Sequence, residues 1–230
     1  MMNRLIKTFR GVALLPLVLG GNCLGEEVLP KSDEDLAAHW EWVRPEEGSY
    51  AFKDGSLLLK SSPGNIWGKG KTNHILMKSL EEENVCITAT VSVKPEVHGE
   101  QAGLMLYRDD DHYCKVVKEW FGKFKTETIV VARESEGKGQ GLKFLRFPDE
   151  VVHLRMVKTG AQVVTFVRGE KEGSFTLLSR TEMPEGGSEP VKLALYSSGA
   201  EKGVEHWATF HSLEVKSIEA DADVLSFLEP

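Results

Sequence analysis

Cysteine is scarce in this sequence. The chain of 230 residues has three cysteines, so it is not a small scaffold held together by many disulfides. A chain of this length can be stabilised by an apolar core, and 41% of its residues are hydrophobic. We predict that Cys86 and Cys114 are not joined to each other. Their strand patterns place them on opposite faces, and we expect the strand Gln101–Arg108 to lie between them.

Residue spacings typical of catalytic and metal sites are also missing. No strand carries the alternating acidic residues of sandwich glucanases, and Glu134-Ser135-Glu136 falls in a polar turn. The histidines lack a His-x-x-x-His spacing, and Asp109-Asp110-Asp111 lacks the alternating pattern of a calcium loop. No nucleophile elbow or phosphate loop occurs. We therefore predict no catalytic residue, no metal and no cofactor, although carboxylates from distant strands could still converge.

No apolar run of the chain is long enough to span a bilayer. The short apolar run at residues 11–21 follows Arg4, Lys7 and Arg10, and it precedes Gly25 and an acidic stretch. A basic start, a short apolar run and a small residue at the cleavage point are typical of a secretory signal peptide.

This leader defines the expected organisation of the chain. We predict a signal peptide over residues 1–25, a folded domain over residues 26–217 and a loose tail over residues 218–230. The mature protein is then exported to the periplasm or the cell exterior. A lipid anchor on Cys23 is the alternative, although Asn22 occupies the place of a small residue in lipid-attachment boxes. Loss of the leader lowers the formal net charge from −7 to −10, which disfavours nucleic acid as a partner.

Short strand patterns are abundant after the leader. One helical turn is expected at Asp33–Ala38. Short segments rich in β-branched and aromatic residues then follow one another from Ser56 to Val215, bounded by Gly, Pro, Asp or Asn. No strand is predicted between Arg133 and Val151. This pattern predicts an all-β sandwich of two antiparallel sheets.

The clearest unit is a hairpin at residues 101–120 (QAGLMLYRDDDHYCKVVKEW). A turn centred on Asp110 pairs Leu106 with Cys114 and, further out, pairs the two ends of the hairpin. One face is then apolar. The opposite face is too polar for a core and too aromatic for an ordinary solvent face, which suits a ligand platform. It carries Gln101, Met105, Tyr107, Tyr113, Lys115 and Glu119.

This hairpin resembles the signature hairpin of the concanavalin A-like domain at the C terminus of many bacterial β-xylosidases. It also resembles a stand-alone family named after a yeast regulator of enolase. Residues 40–45 (WEWVRP), 64–67 (GNIW) and 153–156 (HLRM) extend the similarity over most of residues 38–216. The resemblance implies a concanavalin A-like jelly roll and a sugar-related setting, without an activity. The sequence departs from the family at residues 168–175, where Phe175 stands in place of a Trp.

Together these features predict an exported, non-catalytic carbohydrate-binding or carbohydrate-associated domain whose partner is an oligo- or polysaccharide. A glycoside hydrolase of the same fold and a protein-interaction domain without a sugar ligand are the alternatives. Polar side chains would hydrogen-bond sugar hydroxyls, and tryptophan rings would stack on sugar faces. We expect Arg155 to lie close to the outer face of the hairpin. The predicted ligand-binding residues are Gln101, Tyr113, Lys115, Glu119, Arg155, Asn73, Trp67 and Trp120.

Overall fold

The computed structural model describes residues 25–68, 70–187 and 189–230. These residues form two antiparallel sheets packed face to face, which confirms the predicted all-β jelly-roll sandwich. The strands in chain order are β1 Glu26–Glu27, β2 Glu41–Val43, β3 Tyr50–Lys53, β4 Ser56–Lys60, β5 Ile75–Ser79, β6 Val85–Ser92, β7 Gln101–Asp109, β8 His112–Phe121, β9 Thr126–Ser135, β10 Lys138–Arg146, β11 Val151–Thr159, β12 Gln162–Gly169, β13 Thr176–Glu182, β14 Lys192–Ser198 and β15 Trp207–Ser217.

Helical structure is limited to two short elements in the described ranges. Helix α1, Asp33–His39, confirms the predicted helical turn and begins after Ser32, whose side chain accepts a hydrogen bond from the Asp35 backbone N–H. A 3₁₀ helix, Val224–Leu228, lies near the C terminus. Neither helix is long and apolar enough to cross a membrane. Apart from Gly25, the predicted signal peptide lies outside the described residues.

The two sheets differ in the strands that they combine. Sheet A has the order β13-β12-β11-β6-β15-β4-β3, with β1 paired to β15, and sheet B has the order β10-β9-β8-β7-β14-β5-β2. Alternate side chains from both sheets meet between them. Leu57, Leu104, Leu154 and Phe210 are fully buried in this layer. The side chains that alternate with them point away from it, so each sheet has an outer face.

The predicted register of the β7–β8 hairpin is confirmed. Gln101 lies opposite Glu119, and Leu106 lies opposite Cys114. A one-residue slip would move the apolar side chains of the hairpin out of the core, and burying two leucines stabilises the register by roughly 3–6 kcal/mol.

The turn of this hairpin is held by an ion pair. The Asp110 carboxylate accepts two hydrogen bonds from the Arg44 guanidinium, at 2.8 and 2.7 Å, and one from the Tyr107 hydroxyl at 2.9 Å.

Within the described residues, no group of three or more His, Cys, Asp or Glu side chains could hold a metal ion.

The C-terminal segment is docked, so its prediction as a loose tail was wrong. Phe227 is buried against an apolar cluster on the outer face of sheet A that includes Phe166 and Phe175. The guanidinium of Arg155 donates to the backbone carbonyls of Phe227 and Glu229, both at 2.7 Å. A few apolar residues in an acidic segment were enough for docking because sheet A offers a complementary apolar face.

Strand β10 was not predicted. It forms the edge of sheet B and pairs with β9 alone, so most of its side chains are exposed and its sequence, KGQGLKFLR, does not alternate clearly. A bulge between Gly141 and Lys143 disturbs the period further.

The cysteine prediction is confirmed, although its reasoning was partly wrong. Cys114 is a free thiol, so it is not bonded to Cys86. The two residues lie in different sheets, on β8 of sheet B and β6 of sheet A. The prediction assumed that the strand Gln101–Arg108 separates the two cysteines within one sheet, and this assumption was wrong.

Candidate functional site

The outer face of sheet B contains an open cavity of about 460 Å³. Its floor is formed by outward-facing side chains of β7, β8 and β9, and loops and the edge strand β10 form its sides. Cavities of this size are typical of small-ligand sites. The lining residues are Asn65, Trp67, His98, Gly99, Gln101, Lys115, Glu119, Phe121, Val130 and Phe144.

Gln101 is the centre of a hydrogen-bond network in the cavity floor. Its side-chain oxygen accepts hydrogen bonds from Lys115 Nζ at 2.7 Å and from the Tyr196 hydroxyl at 2.6 Å. Its side-chain nitrogen donates to the Gly99 carbonyl at 2.9 Å. These contacts fix the orientation of the amide, so the floor is organised without a ligand.

Two opposite charges interact with each other in this floor. Lys115 is 2% exposed, and burial lowers its pKa to about 8, partly opposed by the charges of Glu119 and Glu134. Glu119 is 8% exposed, and burial raises its pKa against the opposing effect of Lys115. Within the described part of the chain, no hydrogen-bond donor reaches the Glu119 carboxylate. A ligand hydroxyl could supply that donor.

Trp67 forms one wall of the cavity and is 42% exposed. Its loop is anchored by the neighbouring Ile66, which is fully buried against the outer face of sheet B. The Tyr113 hydroxyl donates to the Ile66 carbonyl at 3.2 Å, and the Trp67 backbone N–H donates to the Asn65 side chain at 2.9 Å. The Lys115 ammonium lies 5.6 Å from the centre of the indole ring. The ring is therefore held in place by its surroundings while a large part of it remains accessible.

Most of the predicted hairpin residues do meet at this cavity. Gln101, Lys115 and Glu119 form the floor, and Trp67 forms a wall. Tyr113 is fully buried below the Trp67 loop, where it supports the loop instead of lining the cavity.

Three other predicted site residues lie elsewhere. Arg155 is on β11 of sheet A, where it binds the C-terminal segment, so its predicted proximity to the hairpin face was wrong. Trp120 follows Glu119 on β8 and so points away from the outer face. Asn73 donates to the Glu46 carboxylate in a loop outside the cavity.

The sequence interpretation missed other residues of the site. Tyr196 is fully buried beneath the floor and bonds Gln101, but this position depends on the pairing of β14 with β7, which alternation does not reveal. Phe144 lies on β10, the strand that was not predicted. His98 and Phe121 come from a loop and a strand end, and the only signal for them was their aromatic character.

Comparison with known proteins identifies the fold. The model of the β-xylosidase C-terminal concanavalin A-like domain matches residues 32–216. A search of curated proteins finds no match.

Three solved structures have the same fold at low sequence identity. The GH43 BlXynB protein of Bacillus licheniformis is 15% identical with a TM-score of 0.70, over 78% of this chain and 37% of that one. The xyloglucan-locus protein GH43B of Bacteroides ovatus is 17% identical with a TM-score of 0.71, over 86% and 40%. The carbohydrate-binding module CBM66 of Bacillus subtilis is 12% identical with a TM-score of 0.52, over 78% and 96%.

The extent of these matches places the chain within its family. It spans well under half the length of the two GH43 proteins and nearly the whole length of the binding module. The family model covers more than half of the chain and includes most of both sheets. The chain therefore belongs to the family of β-xylosidase C-terminal concanavalin A-like domains.

Proposed function

We propose that this protein is an exported, non-catalytic carbohydrate-binding domain whose site is the cavity on the outer face of sheet B. The observation that carries the proposal is the pairing of an exposed ring, Trp67, with a floor of fixed polar groups. Aromatic rings stack on the apolar faces of sugars, and polar groups in a shaped cavity bind their hydroxyls.

The polar groups of the floor suit a polyol. A sugar hydroxyl both donates and accepts hydrogen bonds, so neighbouring hydroxyls can donate to Glu119 and accept from Lys115. Export is supported by the basic and apolar leader before Gly25. The likeness to a carbohydrate-binding module across nearly its whole length is consistent with a binding role.

The carboxylates around the cavity support binding over hydrolysis. Glycoside hydrolysis commonly uses two carboxyl groups about 5–10 Å apart. Among the described residues that line the cavity, Glu119 is the one carboxylate. A further buried carboxylate on the outer face of sheet B is Glu134, which lies opposite Tyr113, six residues along β8 from Glu119. The backbone positions of the two glutamates are therefore separated by roughly 20 Å along the strand direction.

A glycan array followed by calorimetric titration tests the proposal. Purified protein is screened on plant and microbial oligosaccharides, and each hit is titrated against the wild type and the Trp67→Ala variant. We expect Trp67→Ala to abolish measurable binding. Trp207→Ala is the matched control, because Trp207 is a half-buried tryptophan on sheet A that also lies near a lysine. An array without hits, or equal binding by both variants, would refute the proposal. Release of reducing sugar from a hit would instead favour the hydrolase.

A further inference from the structure

Edge strand β10 carries glycine at two alternate positions that face the cavity side of sheet B. Gly139 lies opposite Glu134 and Gly141 lies opposite Ala132. Neither glycine has a positive φ, so the backbone conformation at these positions does not require glycine. The reason for two glycines must be sought in the space above them.

That space is occupied by the two exposed aromatic rings of the cavity. A β-carbon at Gly139 would lie 2.6 Å from Cζ2 and 2.7 Å from Cδ2 of Trp67. A β-carbon at Gly141 would lie 2.7 Å from Cε2 of Phe144. Real β-carbons do not approach other atoms so closely. Each ring therefore rests directly on the backbone of β10, in a seat that exists because the residue below has no side chain.

The seats give the two rings a fixed arrangement. The three indole atoms nearest the Gly139 position, Cε2, Cζ2 and Cδ2, are consecutive atoms of the six-membered ring. That ring therefore lies against the strand, while Trp67 as a whole remains 42% exposed to a ligand. Phe144 is 38% exposed and packs on Phe121 with ring centres 4.7 Å apart. Glycines two residues apart on a strand are separated by about 6–7 Å. The rings therefore form a row along the cavity edge.

The charge around this row disfavours an acidic ligand. Lys115 is the one ammonium group among the described residues that line the cavity. It interacts with two carboxylates, Glu119 in the floor and the buried Glu134. The positive charge of Lys115 is therefore already compensated, and a ligand carboxylate placed beside it would be repelled by these two groups. A neutral sugar meets no such repulsion.

We propose that the cavity binds a neutral saccharide chain whose units stack along Trp67 and Phe144, and that Gly139 and Gly141 act as positioning residues for those rings. This inference rests on the proposed function and adds the ligand class and the residues that position the platform.

The test is Gly139→Ala, with Gln140→Ala as the control on the same strand. The added methyl must displace Trp67, so affinity for the neutral oligosaccharide that binds best on the array should fall roughly five- to tenfold. Alanine suits a strand at least as well as glycine, so the thermal midpoint should not fall. Gln140 faces the other way and bonds Arg133, so Gln140→Ala should bind normally. Unchanged affinity in Gly139→Ala, or lower affinity with an equal loss of stability, overturns the positioning role.

Two further measurements separate this inference from the proposed function. Oligogalacturonate binding as tight as a neutral oligosaccharide of equal length overturns the neutral ligand class while leaving carbohydrate binding in place. Fluorine NMR of 5-fluorotryptophan protein tests the seat without a ligand, with the Trp67 resonance assigned by Trp67→Phe. Gly139→Ala should move that resonance, and an unmoved resonance overturns the seat. An array without hits overturns the proposed function and the ligand class together.

Discussion

The outer faces of the two sheets differ in how each provides partners for a buried cation. Each face buries a cation beside aromatic rings, Arg155 on sheet A and Lys115 on sheet B. Arg155 lies 3.7 Å from the centre of the Phe175 ring, and the C-terminal segment supplies carbonyls to it. Lys115 lies farther from its rings and bonds Gln101 in an open cavity.

This difference separates a structural cation from one that remains available. Burying a charge is costly unless hydrogen bonds replace its water. On sheet A the chain itself provides the replacement and closes the face. On sheet B one amide oxygen provides part of it, and the cavity leaves room for a ligand to provide the rest. A buried cation therefore indicates a binding site only where no segment of the same chain covers it.

The largest expected effect is on the covered face. Arg155→Ala should lower the free energy of unfolding in urea by about 3–5 kcal/mol, because two tail carbonyls lose their donor and Phe175 loses its cation. Arg168→Ala is the control, since its guanidinium lies 5.2 Å from the same ring, and it should cost less than about 1 kcal/mol. Equal losses would show that the tail contacts do not stabilise the fold. Sugar binding should survive Arg155→Ala.

On the open face, the buried cation Lys115 should make the free energy of unfolding depend on pH. The pKa of Lys115 is about 8 in the fold and 10.5 ordinarily, so the unfolded chain binds the extra proton between these values. Wild-type stability should therefore rise from pH 8 to 10.5 relative to Lys115→Met, by about 3 kcal/mol. Below pH 8 the difference should be constant. Urea unfolding of both proteins across this range is the measurement, and parallel curves throughout would contradict the buried charge.

The covered face should show a pH dependence of the same sign, but in the acid range. Burial lowers the pKa of His153 to about 4, aided by Arg168 and Arg155. The unfolded chain therefore gains a proton first as the pH falls from 6.5 to 4, and stability is lost over that window. His153→Gln can keep the hydrogen bond to Thr90 and should recover roughly 1–2 kcal/mol near pH 4. Thermal midpoints at pH 7 and near pH 4 test this, and an equal acid loss in both proteins would refute it.

The smallest effect is expected from the exposed ring. Trp67→Ala should change the free energy of unfolding by less than about 1 kcal/mol, because much of the ring is already in water. Phe175→Ala, on the covered face and 4% exposed, should cost about 3–5 kcal/mol. Comparable losses would mean that the Trp67 loop stabilises the fold and that the two faces are less different than their contacts indicate.

Local alternation was sufficient to predict half of the site. The β7–β8 hairpin contains its own turn and its own apolar face, so the pairing of Gln101 with Glu119 followed from parity. The position of Lys115 on the same face, opposite Met105, followed as well. The loop that carries Trp67 was recognised from its composition and its similarity to the family.

The remainder depended on contacts between distant segments. Alternation along β11 places Arg155 on an outer face but does not say which sheet the strand joins, and the strand joined sheet A. Strand β10 lies at the edge of its sheet, so its polar and apolar residues alternate only weakly. The positions of Phe144 and of the two glycines beneath the rings could therefore not be predicted from the sequence. The tail carries few apolar residues, and their value depended on a complementary face that lies elsewhere in the chain.

The strand order has a consequence for how the chain is made. Strand β14 lies between β7 and β5, and β15 lies between β6 and β4. Each sheet therefore stays split until one of the last strands inserts into its middle. A ribosome that has released residues up to 190 has produced most strands of both sheets, yet β6 and β7 still have an unpaired edge. Such edges invite pairing with other chains. A chaperone that holds the chain until β14 and β15 have emerged should raise the yield more than one that acts only afterwards.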